Sequence, residues 1–394
     1  MKALRKRGLA LLLALLMLVG VVACNETVPD GGGTSETGSD SLSEDPTDTV
    51  TTPAPKAESA TDPESETDPT PVFDAEEEAK HLRILAIGNS FSVDGMEYLW
   101  DICKAAGIEN VTLGNLYIGG CTLAKHWTNI SGKKAAYKYN KNTAGSWVTT
   151  EDVSVQSAMQ DEYWDVITVQ QASGSSGLPD TYGKLGNILG WIEEHKPNPE
   201  AKILWHMTWA YQSDSDHKNF PNYDSNQMTM YEAITSTVQS TVLTDERIDG
   251  VIPSGTAIQN LRTSYVGDTV TRDGYHLHKG IGRYTAGLVW FSVITGRSVD
   301  DITWVPDSYK GISTQLSVVK ESVKNALQTP YAVTDSTHKT APGDDELMRA
   351  VGLDPAQYEL LDLQMAVNSY YNSTKQYERT TTGDTPRNGD PADI

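Results

Sequence analysis

Leu82-Arg83-Ile84-Leu85-Ala86-Ile87-Gly88-Asn89-Ser90-Phe91-Ser92 is the stretch on which the reading of the chain turns. Its first six residues form a short, nearly unbroken apolar run ending at a glycine, the pattern of a strand covered on both faces. Beyond the polar turn, Met96, Leu99, Trp100 and Cys103 recur at helical spacing. The chain therefore enters as a strand, turns through Gly88 and Asn89, and leaves as a helix with Ser90 near its start.

The same alternation continues outward. Val111 to Ile118 is a second strand closed by Gly119-Gly120, and residues 134–150 suggest an inserted β-hairpin around Asn142-Thr143-Ala144-Gly145. Asp165 to Val169 predicts a third core strand, followed by a helix carrying Leu185, Ile188, Leu189 and Ile192. Ile203-Leu204-Trp205 is a fourth strand, with Tyr231, Ile234, Val238 and Val242 on the helix after it. Gly250-Val251-Ile252 is a short fifth strand, and a last helix shows Ile281, Tyr284, Leu288 and Phe291. Successive βα units predict an α/β fold with a parallel sheet of about five strands, covered by helices on both faces through right-handed crossovers. In such sheets the ligand site lies at the carboxyl ends of the strands. The residues just after each strand are therefore the ones to inspect.

Composition narrows the possibilities. The 394 residues include 31 basic and 53 acidic side chains, for a net charge of −22, and 38% are apolar. An acidic chain of this kind is not built for nucleic acid, which wants a basic stripe. Three cysteines allow neither a disulfide framework nor a four-cysteine zinc site. The charge is unevenly spread: residues 25–80 carry −14 and residues 336–394 carry −5, which leaves −7 on residues 81–335.

Residues 1–23 read as an export signal, a basic start followed by an apolar run from Leu9 to Ala23 too short for a comfortable bilayer span. The end of that run, Val21-Val22-Ala23-Cys24, resembles a bacterial lipobox. The resemblance implies cleavage before Cys24, a lipid anchor on that residue, and a protein held at the extracellular face of a bacterial membrane. Residues 24–80, rich in Thr, Ser, Pro and acidic residues with Phe73 as the one aromatic, cannot bury enough apolar surface to fold. They predict an extended tether. Residues 81–335 form the folded domain on this reading. Residues 336–394 are a C-terminal extension, with helical pattern from Leu347 to Tyr371 and a disordered tail.

Two polar segments stand out at strand ends. Ser90 follows a core strand, where a hydroxyl can be exposed at the turn and the helix start offers unpaired N–H groups to an oxyanion. A serine is also a good helix cap, and the segment lacks the Gly-x-Ser-x-Gly elbow of α/β-hydrolases. Near the far end lies Asp273-Gly274-Tyr275-His276. An Asp and a His three residues apart can pair on one loop, leaving the other imidazole nitrogen for a serine. His278 is a second candidate base, and His276-Leu277-His278 could also be two metal ligands, though no third ligand is evident nearby.

Gly88-Asn89-Ser90-Phe91-Ser92 near the start of the domain and Asp273-x-x-His276 near its end together resemble the SGNH (GDSL-like) hydrolase superfamily, over roughly residues 82–296. The likeness is strongest to a branch of secreted bacterial proteins of unassigned activity. It implies a three-layer, flavodoxin-like α/β/α sheet, with Ser90 as nucleophile, His276 as base and Asp273 orienting it. It also implies an oxyanion hole from the N–H groups of Ser90 and of a glycine after the second strand, for which Gly120 is preferred over Gly119. The third block departs from the usual Gly-x-Asn-Asp and reads Gln170-Gln171-Ala172-Ser173, similar to the Gln-Gly-Glu-Ser type segment of carbohydrate acetylesterases. Gln170 is the better match for the amide donor, with Gln171 as the alternative.

The function implied is a cell-surface serine esterase that removes acetyl or other small acyl groups from carbohydrate, as a monomer and without a metal or organic cofactor. The alternatives are a non-catalytic polysaccharide-binding lipoprotein on the same fold, or a lipase or thioesterase. Trp127, Trp205, Trp209 and Tyr211 could offer an aromatic platform to a sugar ring; Trp205 lies within a strand and reads as core, which leaves Trp209 and Tyr211. Cys103 and Cys121 read as small buried thiols.

Overall fold

The computed structural model describes residues 81–343 and residue 349. The export signal, Cys24, the tether up to residue 80 and the helical pattern from Leu347 lie outside the described residues, apart from residue 349.

Seven strands make one sheet: β1 (His81–Gly88), β2 (Asn110–Tyr117), β3 (Tyr137–Asn142), β4 (Trp147–Val153), β5 (Val166–Val169), β6 (Lys202–His206) and β7 (Gly250–Ile252), in the order β4-β3-β2-β1-β5-β6-β7. Strands β2, β1, β5, β6 and β7 are parallel, and the hairpin β3–β4 extends the sheet antiparallel at one edge. The five expected parallel strands are present, and the inserted hairpin joins the sheet as two further strands. Taken alone, the parallel strands follow the doubly wound order 2-1-3-4-5, whose direction of winding reverses between β1 and β5.

β1 is the central strand because it can be buried on both faces. Ile84, Leu85, Ala86 and Ile87 have no exposed surface, and they pair with Leu113–Leu116 on one side and Val166–Val169 on the other. Each of the Ile84, Leu85 and Ile87 side chains contributes roughly 1.5–3 kcal/mol by leaving water.

The first helices are α1 (Ser90–Met96) and α2 (Leu99–Ala105), where the sequence suggested one continuous helix. α3 (Leu123–Ser131) follows β2, and the short α4 (Val155–Met159) follows the hairpin. The later helices are α5 (Leu185–His195), α6 (Gln227–Thr237), α7 (Ser254–Arg262), α8 (Ile281–Thr295) and α9 (Leu316–Gln328). α8 packs against α1, α2 and α7, and α9 packs on α7, while α3 packs on α5. α8 is buried continuously from Ile281 to Ser292, as expected of a helix that is apolar on nearly every side. Residues 334–339 run back along α7: Thr334 N–H donates to Asn260 Oδ1, Ser336 N–H to Thr263 Oγ1, and Lys339 Nζ to the Thr263 carbonyl.

Helix α7 was not anticipated. Its nine residues are all buried, yet it reads Ser-Gly-Thr-Ala-Ile-Gln-Asn-Leu-Arg, too polar to show an apolar face. It lies so close to the segment after β6 that a Cβ on Gly255 would stand 2.2 Å from the Thr208 carbonyl oxygen. No side chain fits there without moving backbone. Gly255→Ala should therefore destabilise the fold by about 1–3 kcal/mol, read from the midpoint of denaturant unfolding; an unchanged midpoint would contradict this packing.

Candidate active site

Ser90 and His276 come from opposite ends of the fold and meet above the carboxyl end of β1. Ser90 is the first residue of α1, and the preceding Asn89 caps the helix, its Oδ1 accepting from the Phe91 N–H at 3.0 Å. His276 stands on a tight loop in which Arg272 N–H donates to the His276 carbonyl and His278 N–H to that of Val270. Ser90 Oγ donates to His276 Nε2 at 2.8 Å, and His276 Nδ1 donates to Asp273 Oδ2 at 2.7 Å. The ionised carboxylate can only accept, which places the proton on Nδ1 and leaves Nε2 bare for the serine. Asp273 is itself held by the N–H groups of His276 and Tyr275, which donate to Oδ1 at 2.8 and 3.2 Å. A hydroxyl on a bare imidazole nitrogen, with the other nitrogen on a carboxylate, can give up its proton as the oxygen attacks a carbonyl.

His278 takes no part in this contact. Its Nδ1 accepts from the Gly280 N–H at 3.1 Å, and burial, reinforced by Arg272 and Arg283, lowers its pKa to about 3. Of the two histidines the sequence offered, His276 is the one whose ring meets the Ser90 hydroxyl. Among the described residues no three His, Cys, Asp or Glu side chains gather as a metal site would require.

Asp94 ties the two halves together, and no reading of the sequence singled it out. It lies one turn beyond Ser90 on α1 and is fully buried. Its Oδ2 accepts from the Leu277 N–H at 2.7 Å, and its Oδ1 accepts from Arg272 Nη1 at 3.1 Å and Arg283 Nε at 2.8 Å. Arg272 also donates to the Leu277 carbonyl at 2.6 Å. Both backbone polar groups of the residue after His276 are thereby fixed from the serine helix. Burial alone would raise the Asp94 pKa, but the two guanidinium groups more than offset it and hold the carboxyl below its ordinary value.

The glycine and glutamine expected at an oxyanion hole flank the same turn. Gly120 occupies the left-handed region at φ 59° in a turn closed by Cys121 N–H donating to the Ile118 carbonyl. A Cβ there would meet nothing within 4 Å, so strain, and not crowding, is what favours glycine. Asn89 Nδ2 donates to the Cys121 carbonyl at 3.2 Å and so links the serine turn to the glycine turn. Gln170 is buried behind them and gives one amide hydrogen to Asn89 Oδ1 at 2.8 Å. Gln171 commits its Nε2 to the Thr181 carbonyl and hydroxyl, and its Oε1 accepts from Leu123 and Ala172. It is a brace for α3. Cys121 is buried, and burial pushes its thiol up to about 12, which disfavours the thiolate.

Neither Trp209 nor Tyr211 offers a face to a sugar ring, because both are fully buried. Trp209 stacks on Phe91 with centroids 4.4 Å apart, and its Nε1 donates to the Tyr275 carbonyl. Tyr211 sits among His217, Phe220 and Tyr275, and Tyr275 in turn lies 4.2 Å from the His276 ring. Trp209 and Tyr211 instead pack against Tyr275 on the loop that carries His276.

Residues 83–326 match the family described as Domain of unknown function (DUF4886). The chain belongs to that family. It is similar to a DUF4886 family protein from Bacteroides uniformis ATCC 8492, known from a 1.50 Å crystal structure, with 41% identity, a TM-score of 0.62, and coverage of 65% of this chain and 98% of that one. A lesser likeness is to a protein from Slackia heliotrinireducens bearing the description "putative SGNH hydrolase", with 17% identity, a TM-score of 0.34, and coverage of 54% of this chain and 98% of that one. No curated protein sequence matches the chain.

The Asp94 clamp makes a sharp prediction. Asp94→Asn removes the anion shared by the part-buried Arg272 and the buried Arg283, which keeps Glu97 at 3.4 Å, and should cost about 3–5 kcal/mol at pH 7. Because the native pKa is depressed, the carboxylate stabilises the fold above the unfolded value near 4, and that contribution is lost as pH falls through the native value. The gap between wild type and variant should narrow in acid. A gap that is constant in denaturant titrations between pH 3 and 7 would contradict the assignment.

Proposed function

We propose that this protein is a serine ester hydrolase of the SGNH type, acting at the cell surface on small acyl esters of extracellular carbohydrate. The observation that carries the reading is the Ser90–His276–Asp273 relay, with contacts of 2.8 and 2.7 Å. Ser90 Oγ attacks the ester carbonyl while His276 Nε2 takes its proton, and the tetrahedral oxyanion is stabilised by the N–H groups of Ser90 and Gly120. The remaining hydrogen of the Gln170 amide is the third donor in this reading. Collapse of the intermediate passes the proton from His276 to the leaving alcohol. Water, deprotonated by the same imidazole, then releases the acyl group as a carboxylic acid and restores Ser90. The residues described here accomplish each of these steps without a cofactor.

The low exposure of Ser90 and His276, 7% and 2%, supports a small acyl group over a bulky one. A hydroxyl-rich leaving group suits the polar surroundings of the relay, where the half-buried Tyr275 adjoins His276, the half-buried His217 packs on Tyr275, and Ser173 contacts Tyr211. The lipobox-like ending at Cys24 supports a lipid anchor on the outer face of a membrane, with the acidic segment as a spacer and the domain acting as a monomer. A non-catalytic binding protein would have no need for so complete a proton relay.

Purified protein should hydrolyse aryl acetates, and Ser90→Ala should lower kcat/KM by at least about 10³-fold. Equal rates for the two proteins would remove the proposal. In an acyl-chain series from acetyl to octanoyl, kcat/KM should fall with length; a rise towards octanoyl would instead assign a lipid substrate.

A further inference from the structure

Gln170 is supported from behind by a residue that no motif points to. His206 ends β6, is buried, and contacts Gln170 through one nitrogen and α7 through the other. Its Nδ1 lies 2.8 Å from Gln170 Oε1, and its Nε2 lies 3.1 Å from the hydroxyl of Ser254, the first residue of α7. The ring is walled edge-on by Trp290 at 4.9 Å and by Trp209 at 6.0 Å.

The directions of these bonds follow from one fixed donor. The backbone N–H of Phe91 can only donate, so the Asn89 atom it meets is the carbonyl oxygen, Oδ1. Gln170 must then present its NH₂ to that oxygen, which turns Gln170 Oε1 towards His206. His206 Nδ1 must carry the hydrogen, and its Nε2 must accept from the Ser254 hydroxyl. Burial lowers the imidazole pKa to about 3, so the ring stays neutral and this tautomer persists across the physiological range. The chain of donors runs from Ser254 through His206, Gln170 and Asn89 to the Cys121 carbonyl, next to Gly120.

We propose that His206 is a positioning residue for the oxyanion hole, fixing the Gln170 amide with its NH₂ towards the serine turn and thereby setting Asn89 between the Ser90 and Gly120 turns. This rests on the ester-hydrolase reading above. Without the Nδ1 donor, Asn89 Oδ1 alone holds the Gln170 amide, which can then tilt away from the serine turn. A displaced donor weakens the stabilisation of the negative charge that develops in the transition state, so the loss falls on kcat more than on KM.

Two isosteric variants separate positioning from packing. Asparagine places its amide nitrogen near the site of Nδ1, whereas glutamine reaches the site of Nε2. His206→Gln should lower kcat for aryl acetates by roughly tenfold to a hundredfold with KM within about threefold, a smaller loss than removing an oxyanion donor outright. His206→Asn should recover most of that loss. In a double-mutant cycle, His206→Gln added to Gln170→Ala should cost less than about threefold more than Gln170→Ala alone. Equal kcat losses in the two His206 variants, or losses that multiply with Gln170→Ala, would overturn the proposal.

Nitrogen-15 NMR of the wild-type protein gives a readout that needs no variant to fold: His206 should show a protonated Nδ1 and a bare Nε2 between pH 5 and 8. The opposite tautomer would also overturn it. The Ser90→Ala control keeps the two claims apart. If that variant stays active, the hydrolase reading fails. If it is inactive while His206→Gln keeps wild-type kcat, only the role of His206 fails.

Discussion

Leu277 is gripped through both of its backbone polar groups, by Asp94 at its N–H and by Arg272 at its carbonyl, and Arg272 and Arg283 both rest on the same Asp94 carboxylate. This joint holds a loop near the end of the domain to the second turn of the first helix, across 183 residues of sequence. Without it, nothing local would bring the His276 ring to the Ser90 hydroxyl. A buried charge cluster is seldom the cheapest way to stabilise a core, because removing ions from water costs several kcal/mol each. What it offers here is direction: carboxylate and guanidinium groups fix angles that aliphatic packing leaves loose.

The sheet supplies the other half of the constraint. Reversal of winding between β1 and β5 opens a crevice at their carboxyl ends, and Ser90 and Gln170 stand on either side of it. Gln170 spans the crevice to Asn89, Asn89 reaches on to the Cys121 carbonyl after β2, and His206 backs Gln170 from β6. The ends of four strands, β1, β2, β5 and β6, are thus joined by side-chain amides and an imidazole into one polar layer above the apolar strands. Such a network favours a single arrangement because each member has a partner, and a misplaced amide would leave a buried donor or acceptor unpaired.

Much of this was legible from the sequence because it rests on local signals. The apolar run at residues 82–87 marks the central strand, the hairpin residues announce themselves by alternation, and the loop carrying Asp273 and His276 pairs within itself. What the sequence hid depends on contacts between distant segments. Helix α7 is buried on all sides by its neighbours, so its polar composition gives no amphipathic stripe. Asp94 and Arg272 look like ordinary surface charges until the fold joins them. His206 reads as the polar end of a strand, and Trp209 and Tyr211 read as exposed platforms because nothing local says that Phe91 and Phe220 cover them. Periodicity reports which face is buried; it does not report which polar groups meet there.

The central question is whether Ser90 is a nucleophile activated by His276. The most direct measurement is reaction of the protein with a fluorophosphonate serine probe, followed by mass-spectrometric mapping of the labelled peptide. Stoichiometric labelling at Ser90, abolished by His276→Ala, is the predicted result. An unlabelled protein, or labelling at another serine that survives loss of His276, would contradict it.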